Sequence, residues 1–445
     1  MKNSREVAFD VLSKVLLEDA YSNLALDAAI KENNLSKLDS SFTTALVYGV
    51  LERLLTLDYI IRKLSTVPFR KIEKKTLIIL RMAFYQLIYM DKVPDSAAVN
   101  EAVNMAKAQK LFKSSGFING MLRGFIRNDK SFKLPDETDK VRYLSIKYSC
   151  PDYLVKLWLS SYGEEVTEGI LESLSKRPPL SVFVNTVKTS RDELREEFCR
   201  EGVEAVDSPI LPNTLYISGS GAVDSLKAYK EGKFFVQDES SSICAHLTGA
   251  KAGDTVYDVC AAPGGKTFAM AAQMENKGLI RAFDIHLHKV KLIEAGAYRL
   301  GFNIVKPAVR DALNDEKLTE KADVVLCDVP CSGFGILRRK PEIRYRKEES
   351  YEALPEIQLS ILENSAKLVK SGGTLVYSTC TLNPDENSEV VEKFLENHYE
   401  YSMKEIKLPD GIERKIPENK GMLTLFPEAD KTDGFFIATM IRNKD

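Results

Sequence analysis

Histidine is scarce in this chain, at four in 445 residues, and tryptophan occurs once. The seven cysteines include no C-x-x-C pair, so the ligand spacing of a structural zinc site is missing and no metal centre is expected. A disulfide framework needs denser cysteine in a shorter chain, which leaves reduced thiols as the expectation. No apolar run reaches the roughly 20 residues that a spanning helix requires. The longest, Ala45–Leu51 and Leu77–Met90, are short or interrupted by Arg81 and Gln86. The first ten residues carry Lys2, Arg5, Glu6 and Asp10, with no apolar segment behind them, unlike a secretory leader. These absences argue against a secreted disulfide scaffold, a zinc module and a helical membrane protein. They lead to the expectation of a cytoplasmic protein without a membrane partner, in which a cysteine of interest acts as a nucleophile.

What is present is ordinary for a globular protein: 44% hydrophobic and 28% charged residues. The length allows roughly two to four domains. A net charge of −2 hides an asymmetry, because residues 1–134 hold 21 Lys and Arg against 14 Asp and Glu while the remainder is acidic. A basic module at one end suits a polyanionic partner, although a solvated helical face would look the same.

Periodicity divides the chain. Val7, Ala8, Val11, Leu12, Val15 and Leu16 form one helical stripe. Amphipathic runs follow at Ser40–Leu64, Ile72–Met90, Ala97–Lys110 and Gly116–Arg127, punctuated by Pro68 and Pro94. Residues 1–134 are therefore expected to be an all-α bundle, followed by a helical linker over 135–177. After Lys176-Arg177-Pro178-Pro179 the period changes. Strand-like Val182–Asn185, Leu215–Ile217 and Phe234–Val236, with a capping-box helix start at Ser190-x-x-Glu193, predict a small α+β subdomain over 178–240. From 241 to 445 strands and helices alternate as in a doubly wound α/β sheet. The strands predicted are Thr255–Val259, Leu279–Phe283, Ile304–Val309, Asp323–Cys327, Thr374–Tyr377 and Phe435–Met440. A helix over Tyr351–Val369 is expected to end at Gly372-Gly373.

The first of these strands runs into Cys260-Ala261-Ala262-Pro263-Gly264-Gly265-Lys266 and then a helix. A glycine turn there lets backbone approach a ligand at the positive end of a helix. It is not a Walker A loop, because Cys260 stands where the first glycine is required, and no G-x-G-x-x-G occurs. Asp284 ends the next strand, 20 residues after Gly264, where α/β folds place an acid for ribose hydroxyls. Asp311 follows the third strand, placed for an adenine edge, and Asp328 ends the fourth, near the rest of such a ligand. Each acid alone could cap a helix. Three at successive strand ends, beside the glycine turn, mark one binding rim.

Two cysteines share that rim: Cys331 in Asp328-Val-Pro-Cys-Ser-Gly333, and Cys380 in Ser378-Thr-Cys-Thr381. Carbon 5 of cytosine is a poor nucleophile. A thiolate added to carbon 6 makes it enamine-like, able to attack a sulfonium methyl group, and cysteine is the side chain suited to that addition. The spacing leaves open which cysteine does which job.

C-A-A-P-G-G-K-T, D-V-P-C-S-G, Y-S-T-C-T-L-N-P-x-E-N and the tail T-D-G-F-F-I-A resemble the signatures of RNA cytosine-5 methyltransferases. P-x-x-x-A-V-N-E-A-V (94–103) and F-I-N-G-M-L-R (117–123) look like the helical domain of NusB. Together they resemble bacterial 16S rRNA methyltransferases of the RsmB (Sun/Fmu) family over nearly the whole chain. The resemblance implies a Rossmann-like methyltransferase domain behind a NusB-like bundle. It also implies S-adenosyl-L-methionine as cofactor and small-subunit ribosomal RNA as partner, with one loop cytosine, position 967, as target. By position it implies Cys380 as the nucleophile on carbon 6 and Cys331 as the residue that assists release. Cys260, Ala261, Ala262, Pro263, Gly264, Gly265, Lys266, Asp284, Asp311 and Asp328 would hold the cofactor. Phe183 and Tyr153 depart from the Arg and Trp usual in the family.

The Arg338-Arg339-Lys340 and Arg344-Tyr345-Arg346-Lys347 segment after the Pro-Cys motif is expected to grip RNA phosphates, with Tyr345 available for stacking. Arg70, Lys71, Lys74, Lys75, Lys107, Lys110 and Lys113 are further candidates. Cys150, Cys199 and Cys244 are expected to be inert, buried thiols. Two other readings fit the same residues: a relative acting on tRNA or another rRNA site, and a non-catalytic RNA-binding assembly factor.

Overall fold

Asn3 opens the first helix with a capping box: its side chain accepts from the Arg5 and Glu6 N–H groups, and Glu6 caps the Asn3 N–H. This helix, α1 (Ser4–Leu17), buries Val7, Ala8, Val11, Leu12 and Val15. There follow α2 (Ser22–Glu32), α3 (Lys37–Glu52), α4 (Leu54–Leu64), α5 (Lys74–Tyr89), α6 (Asp95–Ala108), α7 (Phe112–Arg127), α8 (Lys140–Tyr148) and α9 (Asp152–Ser173). The expected run Ser40–Leu64 is two helices that meet at Arg53, and α2 and α8 fall within the stretches expected to be helical, where no separate run was delimited. The computed structural model describes residues 2–314, 318, 320–407 and 421–444. It groups the chain into a helical unit of Met1–Gly163, Leu171–Lys176 and Leu337–Arg346, and an α/β unit of Glu164–Ile170, Arg177–Ile336 and Lys347–Asp445.

Within the helical unit, Leu12, Val47, Leu57, Ile60, Leu80, Phe84 and Phe125 belong to one core. Asp58 and Arg81 form a bidentate pair at 2.7 and 2.9 Å. The segment expected to grip RNA is part of this packing. The Arg344 guanidinium is fully buried and donates to the carbonyls of Glu52, Ser149, Leu174 and Leu337 at 3.3–3.5 Å. Three of these carbonyls lie at the C-terminal ends of α3, α8 and α9, where a helix lacks donors of its own and its dipole is negative. Tyr345 donates its hydroxyl to Leu51 O at 2.7 Å, and Glu342 accepts from the N–H and hydroxyl of Ser22. Tyr345 is thus partly buried against this core with its hydroxyl engaged, and Arg344 is a structural cation. Arg346 and Lys347 are exposed, as are Arg70, Lys71, Lys74, Lys75, Lys107, Lys110 and Lys113.

In the α/β unit, β1 (Leu180–Val184), β2 (Glu204–Asp207), β3 (Thr214–Ser218) and β4 (Phe234–Val236) form an antiparallel sheet in the order β2-β3-β1-β4. Alternation sorts its residues. Val182, Val184, Leu215, Ile217 and Phe234 pack with Leu194 and Phe198 of α10 (Arg191–Arg200). Phe183 and Phe235 stack on the other face, at 5.2 Å between centroids, and join the core of the larger sheet. Phe183, the departure from the family's Arg, is therefore a core residue. Ser190 and Glu193 form the foreseen capping box. Cys199, expected to be buried, is exposed on α10, whereas Cys150 and Cys244 are buried. The short α11 (Lys227–Lys230) and then α12 (Glu239–Leu247) complete this part.

The larger sheet contains β5 (Thr255–Asp258), β6 (Leu279–Asp284), β7 (Val305–Val309), β8 (Ala322–Asp328), β9 (Val369–Thr379), β10 (Tyr401–Met403), β11 (Met422–Leu425) and β12 (Phe435–Arg442). Its order is β10-β12-β9-β8-β5-β6-β7, with β11 on β12. The strands from β7 to β9 are parallel, and β12 runs antiparallel to β9. Helices α13 (Gly265–Gln273), α14 (Leu287–Leu300), α15 (Leu354–Ala366) and α16 (Ser388–Asn397) connect the strands. This is the doubly wound, Rossmann-like class expected. One detail differs: Gly372-Gly373 does not end α15, which stops at Ala366. Both glycines lie in β9, near the register shift against β8, where strand glycines mark an irregularity.

Candidate active site

The sheet order creates a switch point between β5 and β8. From β5 the chain continues to β6 and β7 on one side, while β8 and β9 lie on the other, opening a crevice at the carboxyl ends of the strands. The chain leaving β5 is tied to both neighbours: Val259 N donates to Leu326 O at 3.0 Å, and Ala261 N to Phe283 O at 2.7 Å. Gly264 then closes the turn through its N–H to Ala261 O, at φ +112°, and caps α13. A Cβ at Gly264 would lie 2.5 Å from the Phe268 ring, and that φ excludes other residues in any case. The first N–H groups of α13 are left facing the crevice end of the helix, the arrangement that receives polar or anionic groups.

Around this turn stand the predicted side chains. Lys266 Nζ pairs with Asp328 Oδ2 at 2.7 Å, and Ser378 Oγ donates to Asp328 Oδ1 at 2.8 Å. Burial pulls the Lys266 ammonium down, but Asp328, Cys244 and Cys380 more than restore it, so it stays charged. The Phe435 ring lies 4.9 Å from the same ammonium. Asp284 is nearly enclosed, accepts the His286 N–H at 2.9 Å and has Lys289 at 3.8 Å. Asp311 accepts from Leu313 N and Asn314 Nδ2, both at 2.9 Å, so it also caps its own turn. Cys260 is partly exposed, and its thiol is held well above the ordinary value by burial.

The two cysteines expected to do chemistry meet. Cys331 Sγ and Cys380 Sγ are 3.2 Å apart, each partly exposed, on the segments that follow β8 and β9. The contact with Cys380, then burial, with the Glu386 carboxylate adding to them, holds the Cys331 thiol well above its ordinary value. Ser332 Oγ and Thr381 Oγ1, next to the cysteines, share a 2.6 Å hydrogen bond. Cys244 and Cys327 are pushed up to about 12 by burial, which leaves them unreactive at neutral pH.

Sequence reasoning missed several residues here. Asp258 is 1% exposed, accepts the Thr267 hydroxyl at 2.6 Å, and is pushed up to about 7 by burial; an acid at the end of an apolar strand was its signal. Gln237 is 95% enclosed with neither amide atom hydrogen bonded. Its Oε1 lies 3.0 Å from where a Cβ would sit on Gly265, and nothing in the local sequence points to it. Glu386 and Asn387 lie within the quoted Y-S-T-C-T-L-N-P-x-E-N stretch, but the sequence assigns them no role.

Comparison with known proteins agrees with this architecture part by part. The model of the NusB family matches residues 2–127. A ferredoxin-like domain of RsmF/B-like methyltransferases matches 150–224, and 16S rRNA methyltransferase RsmB/F matches 245–441. "Probable ribosomal RNA small subunit methyltransferase B" of Bacillus subtilis is 39% identical, covering 98% of each chain. The protein of the same description from Synechocystis is 37% identical over 99% of each. Among solved structures, PH0851 has a TM-score of 0.83 at 28% identity, with 99% of both chains covered. NSun6 from Pyrococcus horikoshii, solved with SFG, has a TM-score of 0.60 at 26% identity, over 66% of this chain and 99% of that one.

Proposed function

This chain belongs to the ribosomal RNA small subunit methyltransferase B family of S-adenosylmethionine-dependent enzymes, and from that premise we propose that it methylates carbon 5 of one 16S rRNA cytosine through a covalent adduct on Cys380. The observation that carries this reading is the 3.2 Å between Cys331 Sγ and Cys380 Sγ, on the segments that follow two neighbouring parallel strands, β8 and β9. A single methyl transfer to oxygen or to an exocyclic nitrogen needs no thiol, whereas carbon 5 needs one to activate it and something to help it leave.

S-adenosylmethionine bound in the crevice would supply an electrophilic methyl group. The glycine cradle at Gly264–Gly265, the α13 N-terminus, Lys266 and the carboxylates of Asp284, Asp311 and Asp328 offer donors and acceptors for such a ligand, with Cys260, Ala261, Ala262 and Pro263 shaping the turn. Cys380 is the sulfur that would add to carbon 6 as its thiolate, with the Lys266 ammonium near enough to interact with it. Loss of the carbon 5 proton to solvent after methylation re-forms the 5,6 double bond and expels Cys380 as its thiolate. The Cys331 thiol hydrogen bonds to that departing sulfur and so assists release. Asp328, fixed by Lys266 and Ser378, faces the same place and can meet the pyrimidine edge. A loop cytosine suits the site because it costs least to extrude from a stack. The exposed lysines of α5, α6 and α7 support ribosomal RNA as the partner of the helical unit, where phosphate contacts would position and not read the RNA.

Bisulfite mapping of small-subunit rRNA from cells with and without the gene tests the reading. One cytosine should lose its protection from deamination in the deleted strain. With purified protein, Cys380→Ala should abolish transfer, and Cys331→Ala should leave RNA bound through denaturation. An adduct in the Cys380 variant would reverse the assignment.

A further inference from the structure

Glu386 and Asn387 are consecutive, almost wholly enclosed at 0% and 2% exposure, and have no part in the chemistry described so far. Their hydrogen bonds sort cleanly between the two thiols. Glu386 Oε2 accepts the backbone N–H of Ser332 at 2.9 Å and Gln358 Nε2 at 2.9 Å. Gln358 Nε2 also donates to Pro330 O at 2.9 Å. Cys331 is thus held from both sides, by the carbonyl before it and the N–H after it. On the other segment, Asn387 Oδ1 accepts the Thr379 hydroxyl at 2.5 Å, and Asn387 Nδ2 donates to Thr381 O at 3.0 Å. Cys380 lies between those two threonines. Tyr377 locks the pair from below, donating its hydroxyl to Glu386 O at 2.6 Å.

A carboxylate enclosed in this way is costly unless its oxygens are satisfied. Glu386 accepts three N–H bonds, the third from Asn383 Nδ2 at 3.1 Å, and no cation is among its hydrogen-bond partners within the described residues. An apolar residue would fill the space at less cost, so the arrangement calls for a reason beyond packing.

We propose that Glu386 and Asn387 are positioning residues for the thiol pair, Glu386 fixing Cys331 and Asn387 fixing Cys380, so that the two sulfurs are held in contact. Neither touches the reacting atoms. The clamp concerns the same site as the proposed function, and it rests on that reading only for its consequence in the reaction.

The test measures the meeting of the sulfurs directly. Purified full-length protein is treated with diamide, which takes two electrons and the two thiol protons to become the hydrazine while Cys331 and Cys380 close to a disulfide. The bond is quantified by peptide mass spectrometry, with alkylation of the exposed Cys199 as an internal control. Glu386→Gln fills the same volume but has one acceptor oxygen for three donors. Asn387→Asp keeps the Thr379 contact and loses the donor to Thr381 O. Each should slow closure by about tenfold or more, because rates of this kind fall steeply when well-oriented groups are misplaced, with Cys199 labelling unchanged. Gln358→Met, which frees Pro330 O, serves as the parallel variant should Glu386→Gln not fold. Closure at the wild-type rate in folded Glu386→Gln or Gln358→Met, and in Asn387→Asp, would overturn the proposal. A second readout separates the two halves of the clamp. Glu386→Gln should accumulate the denaturation-resistant RNA adduct, as Cys331→Ala does, whereas Asn387→Asp should form less of it. Slowed closure in variants of a protein whose wild type forms no adduct and transfers no methyl group would leave the clamp standing and remove the proposed function.

Discussion

Replacing Asp258 by Asn should change how the α/β unit responds to pH. Asp258 ends β5 at 1% exposure, and burial raises its carboxyl from 3.8 to about 7. At 1.36 kcal/mol per unit, keeping it ionised in the folded chain costs about 4 kcal/mol relative to the unfolded one, as an order of magnitude. Between pH 4 and pH 7 the folded protein therefore binds a proton that the unfolded chain has released. Unfolding free energy falls as pH rises through that window, and the whole cost is present above it. Asn carries no such penalty and keeps an oxygen for the Thr267 hydroxyl. The stability gained on substitution should thus be near zero at pH 4 and grow to several kcal/mol, about 2–4, by pH 8. The only tryptophan, Trp158, is buried in the helical unit and would report on the wrong place. Hydrogen exchange of the β5 and α13 amides, without added cofactor, reads the right one. A difference between variant and wild type that stays constant from pH 4 to pH 8 would refute the reasoning.

Other outcomes follow from packing and charge. Gly335→Ala would bring a Cβ to 1.9 Å from Gly434 O and 2.9 Å from Cys380 O. It should cost about 3 kcal/mol or more by denaturant unfolding and lose methyl transfer disproportionately, whereas Gly120→Ala, with nothing within 4 Å, should gain about 0.5–1 kcal/mol. Equal effects would contradict the close backbone approach. Lys266→Met and Asp328→Asn should each destabilise, and their double-mutant cycle should show about 2 kcal/mol of coupling for the largely buried pair; additive losses would mean the pair is solvated. Arg344→Met should cost about 2–4 kcal/mol, because four carbonyls lose their donor, without changing the salt dependence of RNA binding. A salt slope shallower by about one with unchanged stability would instead reveal a phosphate contact.

The gathering of the glycine turn, the acids and the cysteines at one sheet edge was legible because its signals are local. A glycine turn after a strand, acids at strand ends and a cysteine just past a strand each sit within a few residues of the element that places them. The Ser190–Glu193 cap was legible for the same reason. What escaped depends on partners distant in sequence. Arg344 sits in a run of cations that reads as a grip on RNA phosphates, and only the convergence of α3, α8 and α9 gives it a buried place. Gln237 becomes interesting only through its closeness to Gly265. The strand β2 alternates weakly, with its outer residues in water, and β10 spans three residues, too few for a period to show. The diglycine at 372–373 carries the signal of a helix end and is used for a strand irregularity, a choice made by the register of β8.

The discontinuity of the helical unit has a practical side for anyone dissecting this protein. A gene fragment stopping between residues 177 and 336 would encode α1 to α9 and still omit the guanidinium on which three of them end, along with the carboxylate that receives Ser22. Such a fragment should be soluble only in part and should melt early. Supplying 337–346 as a separate peptide, or grafting it through a short loop, should recover much of the loss. RNA affinities measured on the bare fragment would then describe a partly unravelled bundle.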